Sequence, residues 1–312
     1  MSSRHTGNEL ERMNKLVYYI KNPNFLLIAL FEGFGGWIPD KIYLRIIFFL
    51  HTGRKLHLDP PVTFNEKIQW LKLNDRKPLY TTLVDKSTVK EVISGIIGEH
   101  YIIPTLGVWE RVEDIDYNTL PRKFVLKTTH DGGGSGVVIC DKDNMDIPTV
   151  ESKLRKSLRH NIYKTLREWP YKDIKPQIMA EQYIQPLGNG ETGLQDYKFF
   201  CFNGEPKFCQ VKTHENGHDY IDLFDLEWEL LPFSGLNPQH EHSKIVPRKP
   251  ENLKDMLALA QKLSVFAKFE RVDFYNVGGR IYFGEITFYP ASGMGAFTPK
   301  EYDTIVGNML SI

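Results

Sequence analysis

The densest glycine cluster of the chain, His130-Asp131-Gly132-Gly133-Gly134-Ser135-Gly136, lies between two short strand-like runs, Lys123–Thr128 and Gly136–Cys140. This placement limits the fold sharply. A Walker A loop needs Gly-Lys-Ser/Thr opening a helix, and a dinucleotide fingerprint also passes from strand into helix. Both are excluded, and the two runs imply a hairpin. Bare backbone N–H groups in such a loop can approach phosphate oxygens and cradle them. A mobile hairpin tip is the other reading of the loop taken alone.

Hairpins recur downstream. Tyr197–Phe202 and Lys207–Thr213 flank Asn203-Gly204, a favoured two-residue turn pair. Arg271–Tyr275 and Arg280–Thr287 flank Val277-Gly278-Gly279. Upstream, residues 1–75 read as helical, with Thr63 and Glu66 in a capping-box pattern ahead of Ile68 and Leu71. A further helix is expected from about Asp85 through Val89, Val92 and Ile96 to Gly98, and Ile102-Ile103-Pro104 leads into a connecting stretch. Leu154–Trp169 reads as a basic helix, Ile178–Ile184 as a strand and Leu253–Phe269 as an amphipathic helix. The class is α+β with mostly antiparallel sheets. The expected division is a helical segment 1–84, a connecting helix and linker 85–121, a lid subdomain 122–185 and a C-terminal subdomain 186–312.

Composition removes several functions. Lys plus Arg equals Asp plus Glu, 39 against 39, which argues against a dedicated nucleic-acid binder. The three cysteines form no CxxC pair, so neither a disulfide framework nor a zinc site is implied, and a cytoplasmic setting fits. Asn22–Phe31 and Ile46–Leu50 are apolar but shorter than the roughly 18–20 residues of a spanning helix. They read as core helices or as a peripheral membrane contact through residues 22–50.

The chemistry concentrates at two places. Lys127 lies on the strand before the glycine loop, where it is a snorkelling edge residue or a phosphate ligand, and Lys86 in Asp85-Lys86 has the same two readings. In the last hairpin Arg271 and Asp273 share one strand face, as do Glu285 and Thr287. A three-residue turn would set Arg271 opposite Glu285, with all four on one face. Packed carboxylates repel unless a cation lies between them, and hard oxygen ligands favour Mg²⁺. An Arg271–Glu285 cross-strand salt bridge is the structural alternative. Ser292-Gly293, just beyond, reads as a flexible turn suited to substrate contact.

Together these residues resemble the ATP-grasp superfamily, and within it the TupA-like branch associated with bacterial surface-polysaccharide (teichuronopeptide-type) biosynthesis. The resemblance spans roughly residues 54–307 and includes Thr63-Phe64-Asn65-Glu66-Lys67, Asp85-Lys86, Phe124-Val125-Leu126-Lys127, Glu181-Gln182-Tyr183-Ile184, Asp196-Tyr197-Lys198-Phe199 and the final Arg-x-Asp…Glu-x-Thr. It implies an ATP-grasp fold binding ATP between two α+β subdomains, with a helical N-terminal segment. Lys86 and Lys127 would hold phosphates under a lid formed by Gly132, Gly133, Gly134 and Ser135. Glu181, Gln182, Tyr183 and Ile184 would meet the adenine. Lys198 and Lys212 would lie near phosphate or substrate. Asp273, Glu285 and Thr287 would carry Mg²⁺, and Arg271 would stabilise the acyl-phosphate and tetrahedral intermediates. The superfamily usually has Asn where this chain has Thr287, a shorter ligand that puts a second magnesium in doubt.

The implied activity is an ADP-producing carboxylate–amine ligase. It would join a sugar uronic acid and an amino acid or amine in capsule or surface-polysaccharide biosynthesis, in the cytoplasm or at the inner face of the membrane. His130 and His214 are candidate bases, each with a structural alternative. The basic helix, with Lys153, Arg155, Lys156, Arg159, Lys164 and Arg167, could meet an anionic glycan or be a solvated face. The rivals are a glycosyltransferase using Asp141-Lys142-Asp143, another phosphoryl-transfer enzyme, and a noncatalytic nucleotide-binding protein.

Overall fold

The computed structural model describes residues 27, 28, 31, 33, 35–132, 134, 136–186, 194–215, 218–236 and 242–312, without the side chains of 214 and 215. Most of the apolar run 22–31 lies outside the described residues.

Helix α1 (Asp40–Thr52) buries Tyr43, Leu44, Ile47 and Phe48, which recur at helical spacing, against Ile28 and Leu56. Gly53 ends it in a left-handed conformation (φ 68°), donating to the Phe49 carbonyl at 2.8 Å. Helix α2 (Phe64–Asn74) carries the expected capping box: Glu66 N–H donates to Thr63 Oγ1 at 3.2 Å, and Thr63 N–H donates to Glu66 Oε2 at 3.0 Å. Its buried face is not all apolar. Asn65, Gln69 and Lys72, at i, i+4 and i+7, are fully buried and donate to the carbonyls of Gly295, Ser292 and Gly293. Helix α2 thereby holds down the chain segment that follows the last hairpin. Helix α3 (Pro78–Val84) begins with proline, and α4 (Val89–Ile97) stops at Gly98, whose φ of 104° disfavours other residues. Asp85 closes α3 instead of opening the next helix.

The first sheet has strand order β1-β4-β2-β3, with β1 (Thr105–Trp109), β2 (Lys123–Thr128), β3 (Val138–Asp141) and β4 (Ile178–Gln182) antiparallel in every pairing. Helix α5 (Ile147–Leu158) covers it with Val150 and Leu154 over Phe124, Leu126, Ile178 and Ala180. Strand β1 falls in the stretch read as connecting. The basic helix expected over 154–169 is two pieces, α5 and α6 (Ile162–Leu166), because Asn161 caps the second by accepting from Lys164 N–H at 3.3 Å. Arg167 leaves the basic face altogether. It is buried, ion-pairs with Asp40 at 3.1 Å and donates to the Gly35 carbonyl at 2.8 Å.

The second sheet, order β10-β9-β5-β6-β7, is also antiparallel: β5 (Asp196–Phe202), β6 (Glu205–Glu215), β7 (His218–Phe224), β9 (Phe269–Val277) and β10 (Arg280–Thr287). A short ribbon joins β8 (Ser234–Gly235) to β11 (Phe297–Thr298). Helix α7 (Leu253–Leu263) packs Met256, Ala260 and Leu263 into the main core with Phe199, Val272 and Phe274. It ends before the expected Phe269, where β9 begins. Lys67 on α2 donates to the Gly307 and Leu310 carbonyls at 2.9 and 2.7 Å, closing the end of the last helix, α8 (Tyr302–Gly307).

Glu270 on β9 is buried beside Asp75 and Lys77, and one carboxyl oxygen accepts from Ala267 N–H while Oε2 has no partner. Burial pushes its pKa up to about 8 from 4.5. A raised folded-state pKa contributes stability that is complete below the unfolded value and is lost as pH rises through the folded one. Unfolding measurements should show a loss of up to about 1.4 kcal/mol per pH unit across this window. Glu270→Gln should flatten the slope; an unchanged slope would assign it to other groups.

Candidate active site

Strands β9 and β10 form the floor of the site, and their register differs from expectation. The turn has two residues, Gly278 (φ 59°) and Gly279 (φ 80°), so Val277 pairs with Arg280. Strict alternation from there would turn Glu285 toward the core. A bulge at Gly284 restores it: Phe283 pairs with Phe274, and Glu285 then pairs with Asp273 and Thr287 with Arg271. The four polar groups share a face as expected, with different partners. A Cβ on Gly284 would stand 3.0 Å from the Asp273 carbonyl oxygen, so glycine allows the bulge to pack close.

Arg271 grips Asp273 with both arms, Nε to Oδ1 at 2.7 Å and Nη2 to Oδ2 at 2.6 Å, and Nη2 also reaches Glu285 Oε1 at 3.0 Å. Thr287 Oγ1 donates to the same Glu285 oxygen at 3.3 Å. From β5, Lys198 stands opposite Asp273 and donates to its Oδ2 at 2.7 Å and to Asp196. Burial raises the pKa of Asp273 against the opposing pull of Arg271 and Lys198. Burial acts the same way on Glu285, but Arg271, Lys86, Lys198 and Lys127 outweigh it and hold that carboxyl below the usual range.

Lys86 and Lys127 come from outside this sheet. Lys127 on β2 pairs with Glu181 Oε2 on β4 at 2.5 Å, and Lys90 on α4 takes Oε1 at 2.6 Å. Lys86 N–H donates to the Thr129 carbonyl at 3.0 Å and its ammonium to the Asp131 carbonyl, so it is strapped to the end of β2. Burial lowers its pKa. The carboxylate of Glu181, expected to meet adenine, is thus committed to two lysines. Gln182 is exposed, and Tyr183 and Ile184 are half-buried at the strand end. Gly132 and Gly134 are described, Gly134 with φ 76°, while Gly133 and Ser135 lie outside the described residues. A Cβ on Gly136 would meet Thr128 Oγ1 and Ser157 Oγ within 2.4 Å, which explains glycine where the loop rejoins β3.

The Ser-Gly turn is bonded to helix α2. Ala291, Ser292 and Gly293 are successively left-handed (φ 46°, 53° and 63°). Lys72 Nζ donates to Ser292 Oγ at 2.6 Å, to its carbonyl at 2.9 Å and to the Leu166 carbonyl at 2.9 Å. Burial brings Lys72 down to about 8, opposed by Glu168. Lys212, opposite Asp196, pairs with Asp219 at 2.7 Å. His130 is buried with Nε2 3.0 Å from the His160 carbonyl, and burial lowers its pKa. Asp141 and Asp143 both face Arg122, at 3.6 and 2.5 Å, at the end of β3. Sequence reasoning missed Lys90, Lys72 and Asp196. Lys90 had a signal, lying one helical turn beyond Lys86.

Among the described residues no group of three His, Cys, Asp or Glu side chains is arranged to hold a metal. The donor set nonetheless fits magnesium: Asp273 and Glu285 directly opposed, the Thr287 hydroxyl beside them, and Asp196 Oδ1 buried with no hydrogen-bond partner.

A profile of the TupA-like ATP-grasp family matches residues 66–311. The chain belongs to this family. Its α+β architecture is the ATP-grasp fold. Solved structures similar to it include D-alanine–D-alanine ligase from Bacillus anthracis (16% identity, 80% of this chain and 69% of that one, TM-score 0.43). Another is the corresponding enzyme from Helicobacter pylori (15% identity, 73% and 63%, TM-score 0.39). A third is the ADP complex of the N5-carboxyaminoimidazole ribonucleotide synthetase PurK (15% identity, 72% and 50%, TM-score 0.42). The family assignment rests on the profile match and not on these neighbours. No curated protein sequence matches the chain significantly.

Two expectations follow for the family site. Gly284→Val should cost about 1–3 kcal/mol of stability by overpacking the bulge, and should weaken ATP binding measured by calorimetry. Lys90→Met leaves buried Glu181 only Lys127 as a partner, and should lower the melting temperature as well as weaken ATP binding about tenfold. Unchanged affinity would make Lys90 purely structural.

Proposed function

We propose that the chain is an ATP-dependent carboxylate–amine ligase working through an acyl phosphate. The observation that carries this reading is convergence: Lys86 and Lys127, from the lid side, act electrostatically on Glu285 in the opposite sheet, beside Arg271 and Lys198. Four cations facing paired carboxylates suit a polyphosphate accompanied by a divalent ion.

In this reading Asp273, Glu285 and Thr287 would hold Mg²⁺, which when bound neutralises charge on the phosphates. Lys86 and Lys127 bind phosphate oxygens. The loop from Gly132 to Gly136 closes over them and excludes the water that would hydrolyse the intermediate. Glu181 to Ile184 form the adenine edge. A substrate carboxylate oxygen attacks the γ-phosphorus and ADP departs. The amine nitrogen then attacks the acyl carbon, the nitrogen loses a proton and inorganic phosphate leaves. Arg271, whose Nε and Nη2 hold Asp273, would donate to the oxyanion through its remaining N–H, and Lys198 would stay paired with Asp273. Lys212 and the rigid Ser292-Gly293 backbone border the substrate end.

Membership of the TupA-like family supports a narrower substrate class. The carboxylate and amine would be a sugar uronic acid and an amino acid or amine, joined during capsule or surface-polysaccharide assembly in the cytoplasm. Rival glycosyl transfer finds no support at Asp141 and Asp143, whose carboxylates are spent on Arg122.

ATP turnover with Mg²⁺, screened over uronic-acid sugars paired with amino acids, tests the reading. ADP and phosphate should form only with both partners and stop when divalent cations are chelated. Arg271→Met, Asp273→Asn and Glu285→Gln should each lower the rate by about 10²–10³. Release of AMP, or a stable phosphorylated sugar, would refute the ligase.

A further inference from the structure

Helix α1 has two faces, and only one has a partner among the described residues. Tyr43, Leu44, Ile47 and Phe48 are buried, whereas Ile42, Ile46 and Phe49 are 51%, 37% and 55% exposed. Trp37, just before the helix, is 83% exposed. Between these apolar groups stand Lys41 and Arg45, both exposed, and exposed Lys55 follows the helix. None of the three has an ion-pair partner among the described residues. The one acid of the helix, Asp40, turns away from this face to Arg76 at 2.6 Å, Arg167 at 3.1 Å and the Tyr163 hydroxyl. The outward charge of α1 is therefore entirely positive. Beside Phe49 a cleft of about 510 Å³ is lined by Arg45, Lys55 and His57, with Asp59 also on its wall.

We propose that this face of α1 docks on an anionic lipid bilayer, lying in the plane of the interface with Arg45, Lys55 and His57 around a phosphate headgroup. A stripe of large apolar side chains interleaved with cations, with tryptophan at one end, is the composition that binds such interfaces. A second copy of the chain is a poor occupant. Across a two-fold axis Lys41 and Arg45 would meet their own like charges. No helix among the described residues is long and apolar enough to cross a membrane. The inner side of α1 touches Leu73 and Met294, and Met294 directly follows Ser292-Gly293. Docking would hold the substrate end roughly one helix diameter, about 10 Å, from the lipid. That consequence rests on the ligase reading, and it suits an acceptor carried on a membrane lipid.

Sedimentation of the full chain with vesicles tests the proposal without ATP or substrate, so its failure leaves the ligase reading untouched. The chain should bind vesicles of phosphatidylcholine mixed with phosphatidylglycerol, more weakly at high salt, and not those of phosphatidylcholine alone. Lys41→Glu with Arg45→Glu, and separately Ile46→Ser with Phe49→Ser, should each lower binding on the order of tenfold or more at unchanged melting temperature. Absence of binding to the anionic vesicles, or binding that both pairs leave intact, overturns it. So does a concentration-dependent dimer that Ile46→Ser with Phe49→Ser dissociates.

Discussion

Asp273 sits between two cations, Arg271 and Lys198, at a position almost closed to solvent. Burial alone would neutralise the acid, and without it Arg271 would keep only Glu285 and Lys198 only Asp196 as carboxylate partners in a buried site. Three strands must therefore stay in register. Strand β9 supplies Arg271 and Asp273 two residues apart on one face, β5 sets Lys198 opposite Asp273, and β10 brings Glu285 alongside. A slip by one residue would turn these charges into the aromatic core beneath. The tight turns guard against it: Asn203 and Gly204, then Gly278 and Gly279, all have positive φ and fix the pairing of both hairpins.

The same demand for compensation explains the polar stripe of α2. Three left-handed residues in a row, Ala291 to Gly293, turn the chain at the substrate end and leave carbonyls facing inward. Gln69 and Lys72 satisfy them, and Lys72 also fixes the Ser292 hydroxyl and reaches the Leu166 carbonyl. One buried ammonium thus joins the N-terminal helices, the end of α6 and the segment after β10. The desolvation that this requires shows in its lowered pKa.

Much of this was legible beforehand because it follows from local rules. The capping box at Thr63 and Glu66, the hairpin turns and the alternation that sets Arg271 beside Asp273 are properties of short segments. What escaped reading depends on contacts between distant segments. A bulge at Gly284 and a two-residue turn jointly yield the face that a three-residue turn would have given, so the face was right and the neighbours wrong. Strand β1 has a bulge between Thr105 and Gly107 and weak alternation, and only its pairing with β4 defines it. Arg167 reads as one more surface charge until Asp40, far upstream, is seen to take it inward. The glycines of Ser-Gly and Gly-Gly dipeptides look alike on paper. At Gly293 the residue is held rigid by side chains from α2, which no local pattern reveals.

Lys90 shows how a lysine outside the motif can matter as much as one within it. Glu181 is buried, and in this structure its two oxygens are divided between Lys127 and Lys90. Under the ligase reading Lys127 must turn toward phosphate when ATP enters. If it were the sole partner, that move would strand a buried carboxylate, at a cost comparable to what the phosphate contact returns. Lys90 is anchored independently by the Ile103 carbonyl at 2.6 Å and the Thr105 hydroxyl at 2.9 Å, so it can keep Glu181 compensated while Lys127 moves. Under that reading the pair of lysines on one glutamate would free Lys127 for phosphate without leaving an uncompensated charge on β4.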